Sequence, residues 1–330
     1  MSWRPASRIG LGGGPLGNLY APLSDAAAEG ALAAAWDGGV RHFDTAPLYG
    51  SGLAEVRLGR FLAYRPRDAF TLSTKVGRVL EPEPAGQGAD ATFPGRLPFV
   101  PRFDYSHDGV MRSFEASLRR LGVDRVDLLL LHDVDTVTHG AAQAERMALA
   151  MRSGIRAMQA LRESGAVRAI GLGVNECAPC LEAMRHAEWD CFMVAGRYTL
   201  LEQGALEALL PACVQRGIGV LAVGIFNSGI LAGGAVAGAR YDYQPASPAI
   251  LARVGRIEAI SARHGVALPA AAVAFPLAHP AVVGIVVGAR SAEEVAADLA
   301  MSRAVIPAAL WDELKSKGLL AAEAPVPAGA

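Results

Sequence analysis

An eight-stranded parallel α/β barrel, a (β/α)8 fold of the TIM type, is the class this sequence predicts, and three observations predict it. Eight short apolar runs recur along 330 residues. A helix-like stretch follows each run, and alternation over the whole length requires a parallel sheet with helical crossovers. Eight such units in a chain of this size fit a closed barrel better than an open doubly wound sheet. No shift in composition marks a boundary, so residues 1–330 read as a single barrel domain.

The runs occupy residues 7–13, 40–45, 70–76, 126–132, 167–174, 191–195, 219–225 and 282–289. The fourth contains Val126-Asp127-Leu128-Leu129-Leu130-Leu131, apolar on both faces, as a buried parallel strand should be. The helical stretches are 24–38, 53–62, 108–121, 155–164, 179–187, 204–216, 249–264 and 292–301. The first opens on Ser24-Asp25, a capping pair, and stops at Gly38-Gly39. In the third, Val110, Phe114, Leu118 and Leu121 recur at helical spacing and make one apolar face. Residues 271–289 are the most hydrophobic window, but Pro276, His279 and Pro280 make it a buried helix followed by a buried strand rather than a membrane span. Residues 78–105 break the rhythm with Pro82, Pro84, Pro94, Pro98 and Pro101 and read as a long loop, functional or disordered. The tail beyond Gly318 is rich in Ala and Pro.

Charge narrows the function. With 31 Lys and Arg against 32 Asp and Glu, the net charge is −1, which excludes a broad basic nucleic-acid surface and argues against polybasic membrane docking. The N-terminus lacks the apolar core of a signal peptide, and four cysteines suit a reducing compartment, so a cytoplasmic location is expected.

In a barrel of this kind the active site lies where the strands end. The second run ends in Asp44, with Tyr49 five residues on; the third ends near Lys75, the fourth at His132, and Asn175 follows the fifth. Singly, each has an ordinary structural use, the Asp as a turn former and the Lys as a snorkelling side chain. Together they put an acid, a phenol, an amine and an imidazole on one rim.

These residues sit in segments that resemble the aldo-keto reductase superfamily. The resemblance rests on Phe43-Asp44-Thr45-Ala46-Pro47-Leu48-Tyr49-Gly50 with Glu55 and Leu58-Gly59, on Ser73-Thr74-Lys75, and on Asp127-Leu128-Leu129-Leu130-Leu131-His132. It continues through Gly171-Leu172-Gly173-Val174-Asn175 and Ile285-Val286-Val287-Gly288-Ala289-Arg290, and so covers nearly the whole chain. Three further segments, His132-Asp133, Ala195 to Leu201 and Phe226 to Leu231, look like the NAD-linked aldose 1-dehydrogenase branch (L-fucose and D-threo-aldose), to which pyridoxal 4-dehydrogenase and plant L-galactose dehydrogenase are similar.

The resemblance implies a catalytic tetrad of Asp44, Tyr49, Lys75 and His132. Elementary chemistry points the same way. A free phenol titrates near 10, and an adjacent ammonium, here Lys75 held by Asp44, favours the phenolate. Tyr49 then exchanges a proton with the substrate oxygen while hydride passes between substrate and nicotinamide, and His132 orients that oxygen as a neutral group. The resemblance further implies that Asn175 binds the carboxamide and that Ser228, Gly229 and Leu231 cover or flank the pyrophosphate. Gly288, Ala289 and Ser291 lead into a helix N-terminus suited to phosphate, with Glu294 and Asp298 on one helix face toward the adenosine. NADP-preferring members carry cations where this chain has Gly288 and Glu294, so NAD is expected over NADP, with Arg290 the residue that could still reach a phosphate. Ala195 stands where many members have a Gln beside the nicotinamide. Leu48, Phe103, Tyr105 and other residues of the 78–105 loop are candidate substrate contacts.

Two other patterns are set aside. Gly12-Gly13-Gly14-Pro15-Leu16-Gly17 fits G-x-G-x-x-G, but no helix opens after it, and its glycines would instead let a ligand approach closely. Cys177-Ala178-Pro179-Cys180 has no second C-x-x-C, so no metal is expected, and Trp36, Trp189 and Trp311 read as packing. The expected function is oxidation of the anomeric hydroxyl of a cyclic aldose (L-fucose, D-arabinose or L-galactose type) to a lactone with NAD, by a monomer or weak homodimer. Alternatives are pyridoxal oxidation, a broad aldehyde/ketone reductase, a Schiff-base lyase on Lys75 and a non-catalytic NAD(P)-sensing subunit.

Overall fold

A computed structural model describes residues 3–84, 90–242 and 244–328. Among the described residues eight parallel strands close into a barrel. In chain order they are β1 (Ile9–Gly12), β2 (His42–Asp44), β3 (Thr71–Val76), then, after a hairpin of β4 (Arg78–Pro82) and β5 (Phe99–Phe103), β6 (Val126–His132), β7 (Val167–Val174), β8 (Cys191–Ala195), β9 (Gly219–Val223), and, after a small ribbon of β10 (Arg240–Tyr241) and β11 (Gln244–Pro245), β12 (Val282–Gly288). The barrel order is β1-β12-β9-β8-β7-β6-β3-β2. Every barrel strand thus lies within one of the eight apolar runs.

Strand parity explains the layers. Leu128 and Leu130 of β6 face the barrel interior with Ala169, Cys191, Met193, Leu221, Val283 and Val286. Leu129 and Leu131 face outward into the larger core shared with the helices. Continuing that alternation turns His132 inward at the strand's end. The same parity turns Asp44 of β2 and Ser73 and Lys75 of β3 inward, while Phe43, Leu72 and Val76 join the outer core.

The helices that cover the barrel are α1 (Asp25–Asp37), α2 (Leu53–Leu62), α3 (His107–Leu121), α4 (Thr136–His139), α5 (Gln143–Leu149), α6 (Ile155–Glu163), α7 (Ala178–Ala183), α8 (Leu209–Arg216), α9 (Ile230–Gly233), α10 (Pro248–Arg263), α11 (Leu268–Ala274), α12 (Ala292–Ser302) and α13 (Ala308–Ser316). Ser24 caps α1 by accepting from the amide of Ala27, and Ser106 caps α3 through Gly109. In α3, Val110, Phe114 and Leu121 are buried, as the periodicity requires.

Four expectations change. Residues 78–105 contain the antiparallel pair β4–β5, with Arg78 opposite Phe103 and Pro82 opposite Phe99. Prolines fit here because a two-stranded ribbon has outer edges that need no amide donor; residues 85–89 of this loop lie outside the described residues. The stretch 179–187 ends early as a helix, at Ala183, and 204–216 splits into a 3-10 turn, Gly204–Leu206, and α8. Between β6 and α6 lie α4, α5 and a π-helical turn, Ala150–Gly154, none of which the sequence pattern foretold. Finally, α13 buries Leu310, Trp311 and Leu314, and the tail beyond it buries Leu319, Leu320 and Ala324.

No single helix among the described residues is long and apolar enough to cross a membrane.

Candidate active site

The barrel's C-terminal rim opens into a cleft of about 960 Å³ lined by Asp44, Tyr49, Lys75 and His132 together. Strand register brings them there, since Asp44 lies opposite Ser73 in β2–β3 and Lys75 opposite Leu130 in β3–β6. Lys75 is 2% exposed. Its Nζ donates to Asp44 Oδ2 at 2.6 Å and to the Thr45 carbonyl at 2.9 Å, and Ser73 Oγ donates to Asp44 Oδ1 at 2.7 Å. Burial works against the ammonium, but Asp44 and then Tyr49 outweigh it, so the Lys75 pKa is raised and the amine stays charged.

Lys75 Nζ lies 4.9 Å from the centre of the Tyr49 ring, and the His132 ring stands edge-on to that ring at 6.1 Å. Burial is the main influence on the phenol and raises its pKa; the charge of Lys75 pulls it down, and Asp44 and Asp133 push it up. The net direction is upward. Lys75 therefore pulls the phenol in the expected direction, but desolvation outweighs it, and Tyr49 is held as an acid. His132 is kept well below its ordinary pKa by burial, then by Arg78 and Lys75, and is neutral near pH 7.

Asn175, just past β7, is fixed on three sides. Its backbone N–H and side-chain amide donate to Asp135 Oδ2 at 2.7 and 3.0 Å, its amide also donates to Asp133 Oδ1 at 3.2 Å, and its carbonyl accepts from Arg197 Nε at 2.7 Å. Both amide hydrogens are thus committed, and the side chain offers its Oδ1. After β9, Asn227, Ser228 and Gly229 carry positive φ of 45°, 61° and 95° and bend the chain along the cleft wall. Thr199 Oγ1 donates to Asn227 Oδ1 at 2.6 Å and anchors this bend.

Gly288 and Glu294 line the other end of the cleft. Leu231, Ala289, Ser291 and Asp298 do not. Leu231 and Ala289 are fully buried beneath the rim. Ser291 caps α12, accepting from the Glu294 amide at 3.2 Å. Asp298 turns toward a small void beside Ile9, Ala35 and Val40, where burial and Glu294 raise its pKa to about 6. One helical turn separates it from Glu294, yet only Glu294 faces the cleft, because α12 packs against α1 along the Asp298 side. Glu294 Oε2 accepts from the Arg290 amide at 2.7 Å. The Arg290 guanidinium donates to the carbonyls of Leu19, Ala21 and Pro22 at 3.0, 3.1 and 2.9 Å. It holds the loop after β1.

Of the candidate substrate contacts, Leu48 lines the cleft, whereas Phe103 and Tyr105 do not. Tyr105 is fully buried behind His132, donating to the His132 carbonyl at 2.7 Å, and Phe103 stacks on it at 6.1 Å. Thr92 and Phe93, from the tip of the same hairpin, line the cleft in their place, with Tyr20 and Asp133. Thr92 and Phe93 fall within the 78–105 loop from which substrate contacts were expected, whereas Tyr20 and Asp133 were not expected there, and an Asp directly after His132 was the available signal. Gly12, Gly13 and Gly14 line the cleft, whereas Gly17, in the 3-10 turn Pro15–Gly17, meets the chain itself: a Cβ there would come 2.5 Å from the Tyr49 carbonyl carbon. All four cysteines are free, and burial raises their thiols, Cys177 to about 11. No metal-ligating cluster occurs among the described residues. Trp311 and Trp189 are buried, and Trp36 stacks on Phe43.

A buried Lys–Asp pair beside a phenol and a neutral imidazole, at one end of a cleft with an amide oxygen and a sharp backbone bend along it, is suited to hydride transfer assisted by proton transfer. The sequence profile of the Aldo/keto reductase family matches residues 8–318, and the chain belongs to that family. It is 42% identical over 322 residues to pyridoxal 4-dehydrogenase of Microbacterium luteolum, with 94% of each chain covered. It is 41% identical over 317 residues to D-threo-aldose 1-dehydrogenase of a Pseudomonas species, again with 94% of each covered. A glycerol dehydrogenase from Gluconobacter oxydans shares the fold, with a TM-score of 0.75 over 99% of this chain and 97% of that one at 23% identity. The protein is thus an oxidoreductase of aldehydes and alcohols in a family that uses nicotinamide coenzymes.

Proposed function

We propose that the chain is a single catalytic barrel that oxidises the anomeric hydroxyl of a cyclic aldose to a lactone, with NAD as the preferred coenzyme. The observation that carries this reading is the convergence of Asp44, Tyr49, Lys75 and His132 on one cleft that also contains Asn175 and Glu294. The donor set suits a dinucleotide: Asn175 offers a fixed amide oxygen to a carboxamide, and the 227–229 bend along the cleft wall suits phosphates. When bound, the nicotinamide accepts the hydride.

The chain's own residues manage the proton. Tyr49 receives it from the substrate hydroxyl in oxidation and returns it in reduction. Lys75 stabilises the phenolate that forms, and Asp44 keeps Lys75 charged and in place. Neutral His132 hydrogen-bonds the reacting oxygen. The preference for NAD is supported by Glu294, whose carboxylate repels a 2′-phosphate and can accept from a free ribose hydroxyl. The engagement of Arg290 with three carbonyls supports it further. Oxidation of pyridoxal at its hemiacetal is chemically parallel, and the 42% identity to a pyridoxal dehydrogenase favours it as the second reading. A Schiff-base mechanism is disfavoured because Lys75 is protonated and paired.

Absorbance at the NADH band with L-fucose, D-arabinose, L-galactose and pyridoxal tests the substrate class. Reduction of NAD by at least one sugar is expected; turnover of pyridoxal alone selects the second reading. A higher kcat/KM with NADP than with NAD would overturn the coenzyme assignment.

A further inference from the structure

Asp133 lines the cleft but has no part in the proton transfer set out above. It follows His132 directly and has φ of +52°, a backbone state that side-chain-bearing residues seldom adopt. Two partners from different elements fix its carboxylate. Arg78, at the start of β4 and 6% exposed, donates Nη2 to Oδ2 at 2.7 Å, and Asn175 donates to Oδ1 at 3.2 Å. A carboxylate oxygen has two lone-pair directions, so each oxygen keeps one free. Oδ2 lies 3.5 Å from His132 Nε2. That is too long for a hydrogen bond, so the two atoms stand side by side.

We propose that Asp133 determines substrate specificity by accepting a hydrogen bond from a hydroxyl on the carbon next to the reacting one, while His132 Nε2 faces the reacting oxygen. This rests on the reading of the cleft as an aldose-oxidising site. Oxygens on adjacent carbons that project to the same side can meet these two atoms at once. The site therefore selects a hemiacetal carbon flanked by a carbinol carbon. It disfavours a carboxylate or phosphate at that second position through repulsion between like charges. The position of Asp133 also couples the substrate end to the coenzyme end, since the same carboxylate steadies Asn175.

The test is a two-by-two comparison of L-fucose and 2-deoxy-L-fucose with the wild-type protein and Asp133→Asn, reading kcat/KM for each pair, with the Kd for NAD and the melting temperature as controls on folding. The wild type is expected to lose about tenfold or more on the deoxy sugar, as a site built to bond a hydroxyl does. Asp133→Asn is expected to lose about as much on L-fucose but under about threefold on 2-deoxy-L-fucose. Equal losses on both sugars make Asp133 a counter-ion of Arg78 and overturn the proposal. If neither sugar is oxidised, and D-arabinose and L-galactose are not either, the aldose reading itself fails. The same comparison is then made on sugar Kd values, from quenching of bound NADH fluorescence, and equal affinities or no binding overturn the role of Asp133 as well.

Discussion

Lys75 carries a full charge where almost no water reaches it, and the two partners of its ammonium, Asp44 and the Thr45 carbonyl, make that tolerable. Removing one member of such a pair strands the other. Lys75→Met should therefore destabilise the fold by about 3–5 kcal/mol, read by urea denaturation, besides abolishing turnover; a loss below about 1 kcal/mol would show the pair to be effectively solvated. Tyr49 sits at the edge of the same charge. Tyr49→Phe keeps the ring against Phe93 and His132 and removes only the proton carrier, so kcat should fall by about 10²–10⁴ while NADH still binds. Near-normal turnover by a folded Tyr49→Phe protein refutes the assignment. Because burial raises the Tyr49 pKa, the phenolate needed for oxidation becomes more available as pH rises. Oxidative kcat/KM should climb into the alkaline range and reductive kcat/KM should fall there, and parallel pH profiles in the two directions count against Tyr49 as the titrating group.

At the scale of elements, the rim is assembled by loops that brace one another. Asn18 Nδ2 donates to the Pro94 carbonyl at 2.9 Å and the Tyr20 amide to the Thr92 carbonyl at 2.8 Å, joining the loop after β1 to the β4–β5 hairpin. Arg57 supports the loop from below through the Leu16 and Leu23 carbonyls, at 2.7 and 2.6 Å, and Arg290 holds it from the α12 side. Arg290 accordingly clamps this loop, and through it the hairpin that carries Thr92 and Phe93 into the cleft. Arg290→Ala should raise the sugar KM several-fold and leave the NAD-to-NADP ratio of kcat/KM nearly unchanged. A ratio that shifts tenfold with the sugar KM intact would instead place the guanidinium on the coenzyme. Strands and the longer helices are visible in the sequence because their periodicity is local. The hairpin and the α4–α5 insert are not, since a two-stranded ribbon crossed by prolines and a series of short helical turns have too few repeats to show a period. For the same reason Phe103 and Tyr105 could be assigned to a functional loop without revealing that they pack behind the rim while Thr92 and Phe93 face into the cleft.

For the molecule as a whole, the barrel's opposite end sets its response to acid. His42 is fully buried on β2, with Nδ1 3.0 Å from Thr71 Oγ1 and the Trp3 ring 5.7 Å away, and burial lowers its pKa to about 4. The unfolded chain takes up this proton near pH 6.5 and the folded one does not, so the stability His42 contributes is present above about pH 6.5 and is lost as pH falls toward 4. His132 shifts in the same direction. Unfolding free energy should therefore decline between pH 6.5 and 4, with a shallower slope in His42→Gln; identical slopes would mean that His42 has no part in the acid limb.

The sequence by itself determined the barrel, its eight strands and the rim on which an acid, a phenol, an amine and an imidazole meet, because alternation along a strand and apolar spacing along a helix are properties of consecutive residues. Tertiary structure alone decided that Glu294 faces the cleft while Asp298 turns away, that Arg290 grips three carbonyls, and that desolvation outweighs the ammonium at Tyr49. Each depends on which distant segments pack against a side chain and how much water they exclude, and that is fixed only when the barrel closes.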